Sequence, residues 1–166
     1  MQCDIRQYWD LSDEDIQAVY DQAERGKLLD RAAYDVGLNR KLFHFFARRA
    51  ECFCAVYAEK RLAGFFYLSR FEGATARLHL ALAAAPDGVR QDLARQALDW
   101  CFSTFDFKSL FIVAPAGDAE AAELWTSLGA QTLAEVPGLC WLEKKKKNVP
   151  GRLCLLPTTV GGATAR

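Results

Sequence analysis

The stretch Thr75-Ala76-Arg77-Leu78-His79-Leu80-Ala81-Leu82-Ala83, followed by Pro86-Asp87-Gly88, decides the fold. Over residues 75–83, Leu78, Leu80 and Leu82 fall on one side and Arg77, His79, Ala81 and Ala83 on the other, the two-residue period of a strand. Pro86-Asp87-Gly88 combines a preset φ, a capping side chain and a glycine, so the chain bends there. After the bend, Leu93, Ala97, Leu98, Cys101 and Phe105 recur at helical spacing and predict a long amphipathic helix.

The pattern extends outward in both directions. Upstream, residues 52–58 are a nearly continuous apolar run, Glu59-Lys60-Arg61 is a polar break, and residues 62–71 form an aromatic-rich run; together they read as a hairpin. Before it, Ser12 is a helix N-cap with Asp15 three residues on, and Ile16, Val19, Tyr20 and Ala23 make one apolar stripe closed by Gly26. A second helical pattern over residues 39–49 places Leu42, Phe43, Phe46 and Ala50 on one side, and a first strand is expected over residues 3–9. Downstream, residues 110–114 are a short apolar strand of the kind buried in a sheet centre. Asp118 caps a helix in which Ala121, Leu124, Trp125 and Leu128 form the stripe and Gly129 ends the run. Residues 132–136, 139–143 and 153–156 supply the last strands, with 144–151 as a charged turn. The order predicts one α/β domain over residues 1–157, a mixed and mostly antiparallel sheet with helices on both faces, and a loose tail at 158–166.

Composition bounds the function. Lys+Arg and Asp+Glu are both 21, so bulk charge does not point to nucleic acid. Residues 1–35 are nonetheless acidic, with nine Asp or Glu against four Lys or Arg, while the run Lys144 to Lys147 reads as a solvated turn or strand edge. No apolar run approaches the ~20 residues that span a bilayer, and the first residues lack the pattern of a secretory signal. Of the six cysteines, none forms a C-x-x-C pair, and two histidines make a zinc site unexpected. Cys52 and Cys54 share one strand face, too close for an ordinary disulfide. Reduced, buried thiols in a cytoplasmic protein are expected.

The segment from Leu78-His79-Leu80-Ala81 into the helix at Val89, and the stretch Asp118-Ala119-Glu120-Ala121-Ala122-Glu123-Leu124-Trp125-Thr126-Ser127-Leu128-Gly129-Ala130, carry a family resemblance. They resemble the fourth strand with its following helix, and the Asn-x-x-Ala-x-x-Leu-Tyr-x-x-x-Gly-Phe signature, of the GNAT (GCN5-related N-acetyltransferase) family. The Leu-His pair and the helix Trp are further similar to small GNAT-like proteins of tailed phages and prophages. The resemblance implies the GNAT acyl-CoA N-acyltransferase fold, acetyl-CoA as cofactor, and an amine as acceptor.

It also implies site residues, with departures. Val89-Arg90-Gln91-Asp92-Leu93-Ala94 stands at the family's phosphate-binding Gln/Arg-x-x-Gly-x-Gly/Ala, where glycines let backbone N–H groups close on pyrophosphate. Only Ala94 fits; Asp92 puts a carboxylate where a glycine belongs, and Gly88, Arg90 and Arg95 are substitutes in a shifted register. Ala81, Ala83, Gly88, Val89, Arg90, Asp92, Leu93 and Ala94 are thus the cofactor-binding candidates. The bland alternative for 86–94 is a plain strand-to-helix turn.

For catalysis, His79 lies on the strand that carries the family's base, and imidazole titrates in the range a general base needs. Its alternative is a half-buried histidine bonded to a backbone carbonyl. Trp125 stands at the family's acidic Tyr, where indole cannot deliver a proton as a phenol can, so it reads as core. Nearby thiols or Tyr67 are left for the acid role. Asp118 is explained as a helix cap. His44, between Phe43 and Phe45, reads as packing, and Phe65, Phe66, Tyr67 and Phe71 read first as core. Two functions follow: an acyl-CoA-dependent N-acetyltransferase of unspecified amine, or a GNAT-shaped binding or assembly protein without catalysis. A homodimer joined through edge strands near Cys140 and Cys154 is a third, lesser reading.

Overall fold

Ser12 opens α1 (Asp13–Arg25) with a reciprocal capping box: Asp15 N–H donates to the Ser12 hydroxyl at 3.1 Å and Ser12 N–H to the Asp15 carboxylate at 2.9 Å. Asn39 caps α2 (Arg40–Arg49) by accepting from Leu42 N–H at 3.0 Å. The computed structural model describes residues 2–26, 29, 39–83, 87–142 and 146–158. The expected Pro86 bend, Lys144 and Lys145, and the tail from 159 lie outside the described residues.

The strands are β1 (Cys3–Gln7), β2 (Cys52–Ala58), β3 (Arg61–Glu72), β4 (Thr75–Leu82), β5 (Ser109–Pro115), β6 (Gln131–Leu142) and β7 (Lys147–Pro157). They form one sheet in the order β1-β2-β3-β4-β5-β7-β6. Every neighbour is antiparallel except β4 and β5. The remaining helices are α3 (Asp87–Thr104) and α4 (Ala119–Ser127). The first strand is shorter than expected, because Tyr8 to Asp10 turn into a single 3-10 turn.

Strand alternation sorts side chains onto two faces. Cys52, Cys54, Val56, Phe66, Leu68, Leu78 and Leu82 face α3 and α4, where Leu93, Ala97, Leu98, Cys101 and Trp125 meet them. Phe53, Ala55, Phe65, Tyr67 and Ala81 face α1 and α2, against Ile16, Val19, Tyr20, Phe43 and Ala47. Burying each such large apolar side chain contributes about 2 kcal/mol before entropy is counted. All six cysteines are thiols outside any disulfide, and the Cys52 and Cys54 sulfurs are 3.7 Å apart in the core. Their shared hydrogen bond lowers the Cys52 thiol and raises that of Cys54, while burial raises Cys101.

Several expectations are corrected. On α2, Phe43 and Ala47 are the buried residues, and Leu42 is 46% exposed. Phe43 meets Tyr20, Phe53 and Phe65 edge-on, so the helix turns its larger ring inward and its neighbouring leucine out. His44 is half-buried, and its Nε2 pairs with the exposed Asp13 carboxylate at 3.2 Å. The two strands expected over 132–136 and 139–143 are one strand, β6, as far as Leu142, with a register shift between Val136 and Cys140, and Glu143 lies outside the described residues. Pro137 and Gly138 stand between the two expected strands; on an edge strand proline gives up no ladder bond, and Gly138 at φ 70° forms a bulge. The long β6 gives residues 147–152 partners, so β7 occupies most of the expected charged turn. Because β7 lies inside the sheet, Cys154 is not on an edge; Cys140 lies on the edge strand β6 but is itself buried.

Candidate functional site: a cleft where two parallel strands part

β4 and β5 pair at only three positions, Thr75 with Ser109, Ala76 with Leu110 and Arg77 with Phe111. From Leu78 onward β4 keeps its partner β3 as far as Leu82 but runs away from β5. Gly64 helps to hold it there, because a Cβ at that position would lie 2.2 Å from the Ala81 carbonyl oxygen. Only glycine lets β3 approach β4 so closely.

The parted strands leave a narrow cleft of about 50 Å³. Its walls are residues 78–82 of β4, 112–114 of β5, Arg90 of α3, and Glu120, Ala121, Leu124 and Trp125 of α4. A strand edge without a neighbouring strand offers backbone donors and acceptors in a row. An extended group carrying amides can pair with such an edge.

α4 is fixed at both ends. Asp118 accepts from Ala121 N–H at 3.0 Å, and Gly129 and Ala130 N–H donate back to the Thr126 and Trp125 carbonyls. Trp125 is 6% exposed and belongs to the core and to the cleft wall at once. At the outer side of the cleft, Arg90 in the first turn of α3 is ion-paired with Glu120 in the first turn of α4.

His79, 6% exposed, is the one buried ionisable side chain that the described core contains besides tyrosine and cysteine. Its ring stacks on Tyr67 at 4.0 Å and 10°, and Tyr67 in turn meets Phe46 of α2 edge-on at 4.6 Å. His79 Nε2 and Ser69 Oγ share a hydrogen bond of 3.1 Å. A hydroxyl of β3 is thus one of its partners. When Nε2–H donates to Ser69, Nδ1 carries the lone pair that accepting a proton requires.

The candidates named from sequence divide into three groups. His79, Ala81 and Arg90 line the cleft. Tyr67 lies behind His79, and Ala83 continues the β4 edge, its N–H donating to the Ala63 carbonyl at 2.7 Å. Gly88 and Asp92 are exposed on α3, Val89 is half-buried, and Leu93 and Ala94 point into the core. Sequence reading missed Ser69 and Glu120. Ser69 was reachable once β3 and β4 were paired, since it is two residues from Tyr67 on the strand facing His79. Glu120 gives no such signal: an acidic residue in a first helical turn is what any helix favours.

No protein-family model matches the sequence, and no curated protein does. Solved structures match the fold over nearly the whole chain. An acetyltransferase of the GNAT family from Bacillus anthracis is similar at a TM-score of 0.73 with 11% identity, covering 95% of this chain and 95% of its own. Spermidine N-acetyltransferase from Vibrio cholerae, solved with CoA and spermine, gives 0.75 with 14% identity over 94% of this chain and 95% of its own. Ribosomal-protein-S5-alanine acetyltransferase from Vibrio fischeri gives 0.74 with 12% identity over 96% and 95%. At such identities the likeness speaks for architecture: the seven-stranded, mostly antiparallel sheet with helices on both faces is the GNAT acyl-CoA N-acyltransferase fold.

Proposed function

We propose that this chain is an acyl-CoA-dependent N-acetyltransferase that acts on an amine. The parting of β4 from β5 beyond Arg77 carries the reading, because it leaves an amide-bearing strand edge beside a helix N-terminus. The Vibrio cholerae structure of the same fold holds CoA. Acetyl-CoA would supply an acyl thioester to be attacked by the amine. Backbone groups of residues 78–83 would bind the extended amide arm, and the first turn of α3, with Gly88, Val89 and Arg90, would face the phosphates. Asp92, exposed one turn further on, and Glu120 both oppose that charge.

His79 would take the proton from the amine at Nδ1, with Ser69 holding Nε2 and Tyr67 holding the ring plane. Tyr67 therefore acts as a positioning residue in this scheme. Trp125 cannot protonate the leaving thiolate, and among the described cleft residues there is no phenol or thiol to do so. Water serves that step, and juxtaposition of amine and thioester supplies most of the rate.

Isothermal calorimetry with acetyl-CoA tests the cofactor, and a panel of primary amines and polyamines tests transfer. Saturable binding is expected, and His79→Ala should lower the transfer rate about 10²-fold or more with binding unchanged. No binding at millimolar acetyl-CoA, by wild type and by Glu120→Gln alike, would sink the reading. Binding without transfer to any amine would favour the second one, a GNAT-shaped binding protein, which the missing acid and the ion pair across the cleft also favour.

A further inference from the structure

The first turn of a helix is the positive end of its dipole, and a cation there is unfavourable unless an anion stands close. Arg90 occupies such a place on α3, with its side chain only 14% exposed. The anion present is the Glu120 carboxylate, delivered from the first turn of α4 across 30 residues of sequence. Both residues line the cleft between β4 and β5, and both line the adjoining groove, together with Gln91, Glu123, Leu124 and Ser127. The ion pair therefore stands where the cleft opens into the groove.

We infer that Glu120 is an internal competitor for the cofactor's phosphates: it occupies Arg90 in the empty protein and must release it when acyl-CoA binds. This rests on the acyltransferase reading above. A phosphate group offers Arg90 more charge than one carboxylate and the same two-point geometry, so it is the stronger partner. Glu120 is 45% exposed and has solvent to turn into once displaced. If it stayed in place, it would face the phosphates as a like charge, with Glu123 beside it. The pair thus sets cofactor affinity and keeps the mouth of the cleft bridged in the cofactor's absence. No bond is made or broken; one ion pair is exchanged for another.

Calorimetry with acetyl-CoA on the full chain, comparing wild type, Glu120→Gln, Glu120→Asp and Arg90→Met, tests this. Removing the competing charge should tighten binding about fivefold, the scale of one partly exposed ion pair. Glu120→Asp keeps the charge but loses reach, so it should tighten binding by less. Arg90→Met should weaken binding about tenfold or more, through loss of a charge-assisted hydrogen bond. In the Arg90→Met background, adding Glu120→Gln should give a smaller gain than in wild type. Circular dichroism melts confirm that each variant is folded. If wild type binds and Glu120→Gln binds equally or more weakly, the competitor role is overturned and the acyltransferase reading stands. If wild type is silent and Glu120→Gln binds, the competitor role is supported in its strongest form. If no variant binds at millimolar acetyl-CoA, the acyltransferase reading fails and the competitor role with it.

Discussion

The half of the molecule where α1 and α2 cover the hairpin is closed, and the half where β4 leaves β5 is open. In the closed half, Phe43 touches Tyr20, Phe53 and Phe65 edge-on, and Phe53 stacks on Phe65 at 5.6 Å. Aromatic rings in offset contact leave no room and add to burial energy. In the open half, Leu80 and Ala81 of β4 face Arg90 of α3 and Glu120 of α4 across a gap. The difference teaches that this site is made by withholding a strand partner, while the neighbouring core supplies the stiffness that keeps the gap from collapsing.

The sharpest way to break the comparison is to remove a ring from the closed half. Phe43→Ala should cost about 4 kcal/mol in urea denaturation, whereas Leu80→Ala on the cleft wall, half-buried already, should cost less than about 1.5 kcal/mol. Equal losses would mean that the cleft is as tightly packed as the core. Gly64 stands at the joint between the halves. Gly64→Ala drives a Cβ against the Ala81 carbonyl and should cost about 2 kcal/mol, with loss of acetyl-CoA binding as β4 shifts. A variant of wild-type stability would show that β3 and β4 have slack.

Smaller effects sharpen the contrast. Ser12→Ala removes the cap that anchors α1 and should cost about 1 kcal/mol in thermal or urea unfolding, leaving acetyl-CoA binding as it was. The Arg48 guanidinium donates to Asp13 at 2.6 Å and, with help from His44, holds that carboxyl below its ordinary value near 3.8. A depressed carboxyl contributes stability that is whole above that ordinary value and is lost as pH falls through the lower, folded one. Melting temperature measured below pH 4 should therefore fall less for Asp13→Asn than for wild type. The effect is small because the pair is exposed to solvent.

Much of the fold was legible because its signals are local. The capping box at Ser12 and Asp15, the alternation on β4, the hairpin from Cys52 to Phe71, and the Asp118 cap all act within a few residues. The errors arose where partners decide. Residues 132–136 and 139–142 read as two strands and form one with a bulge at Gly138, and Leu42 is apolar yet faces out because Phe43 fills the space above β2 and β3. For the site, alternation put His79 and Ala81 on one side of a strand, and the family resemblance drew attention to Arg90. Glu120 was not legible, since its partner is 30 residues away, and Ser69, 10 residues from His79, becomes legible only once β3 is paired with β4.

By itself, the sequence determined the layers: strand and helix periods, caps and turns are short-range properties, and they leave one packing of this order that buries both faces. Only the tertiary structure decided where β4 stops pairing with β5, which hydroxyl holds His79, and which carboxylate holds Arg90. Those outcomes depend on distances between segments remote in the chain, and no local preference encodes them. The layered α/β shape was thus written in periodicity, while the cleft and its bridging ion pair emerged only when the sheet was assembled.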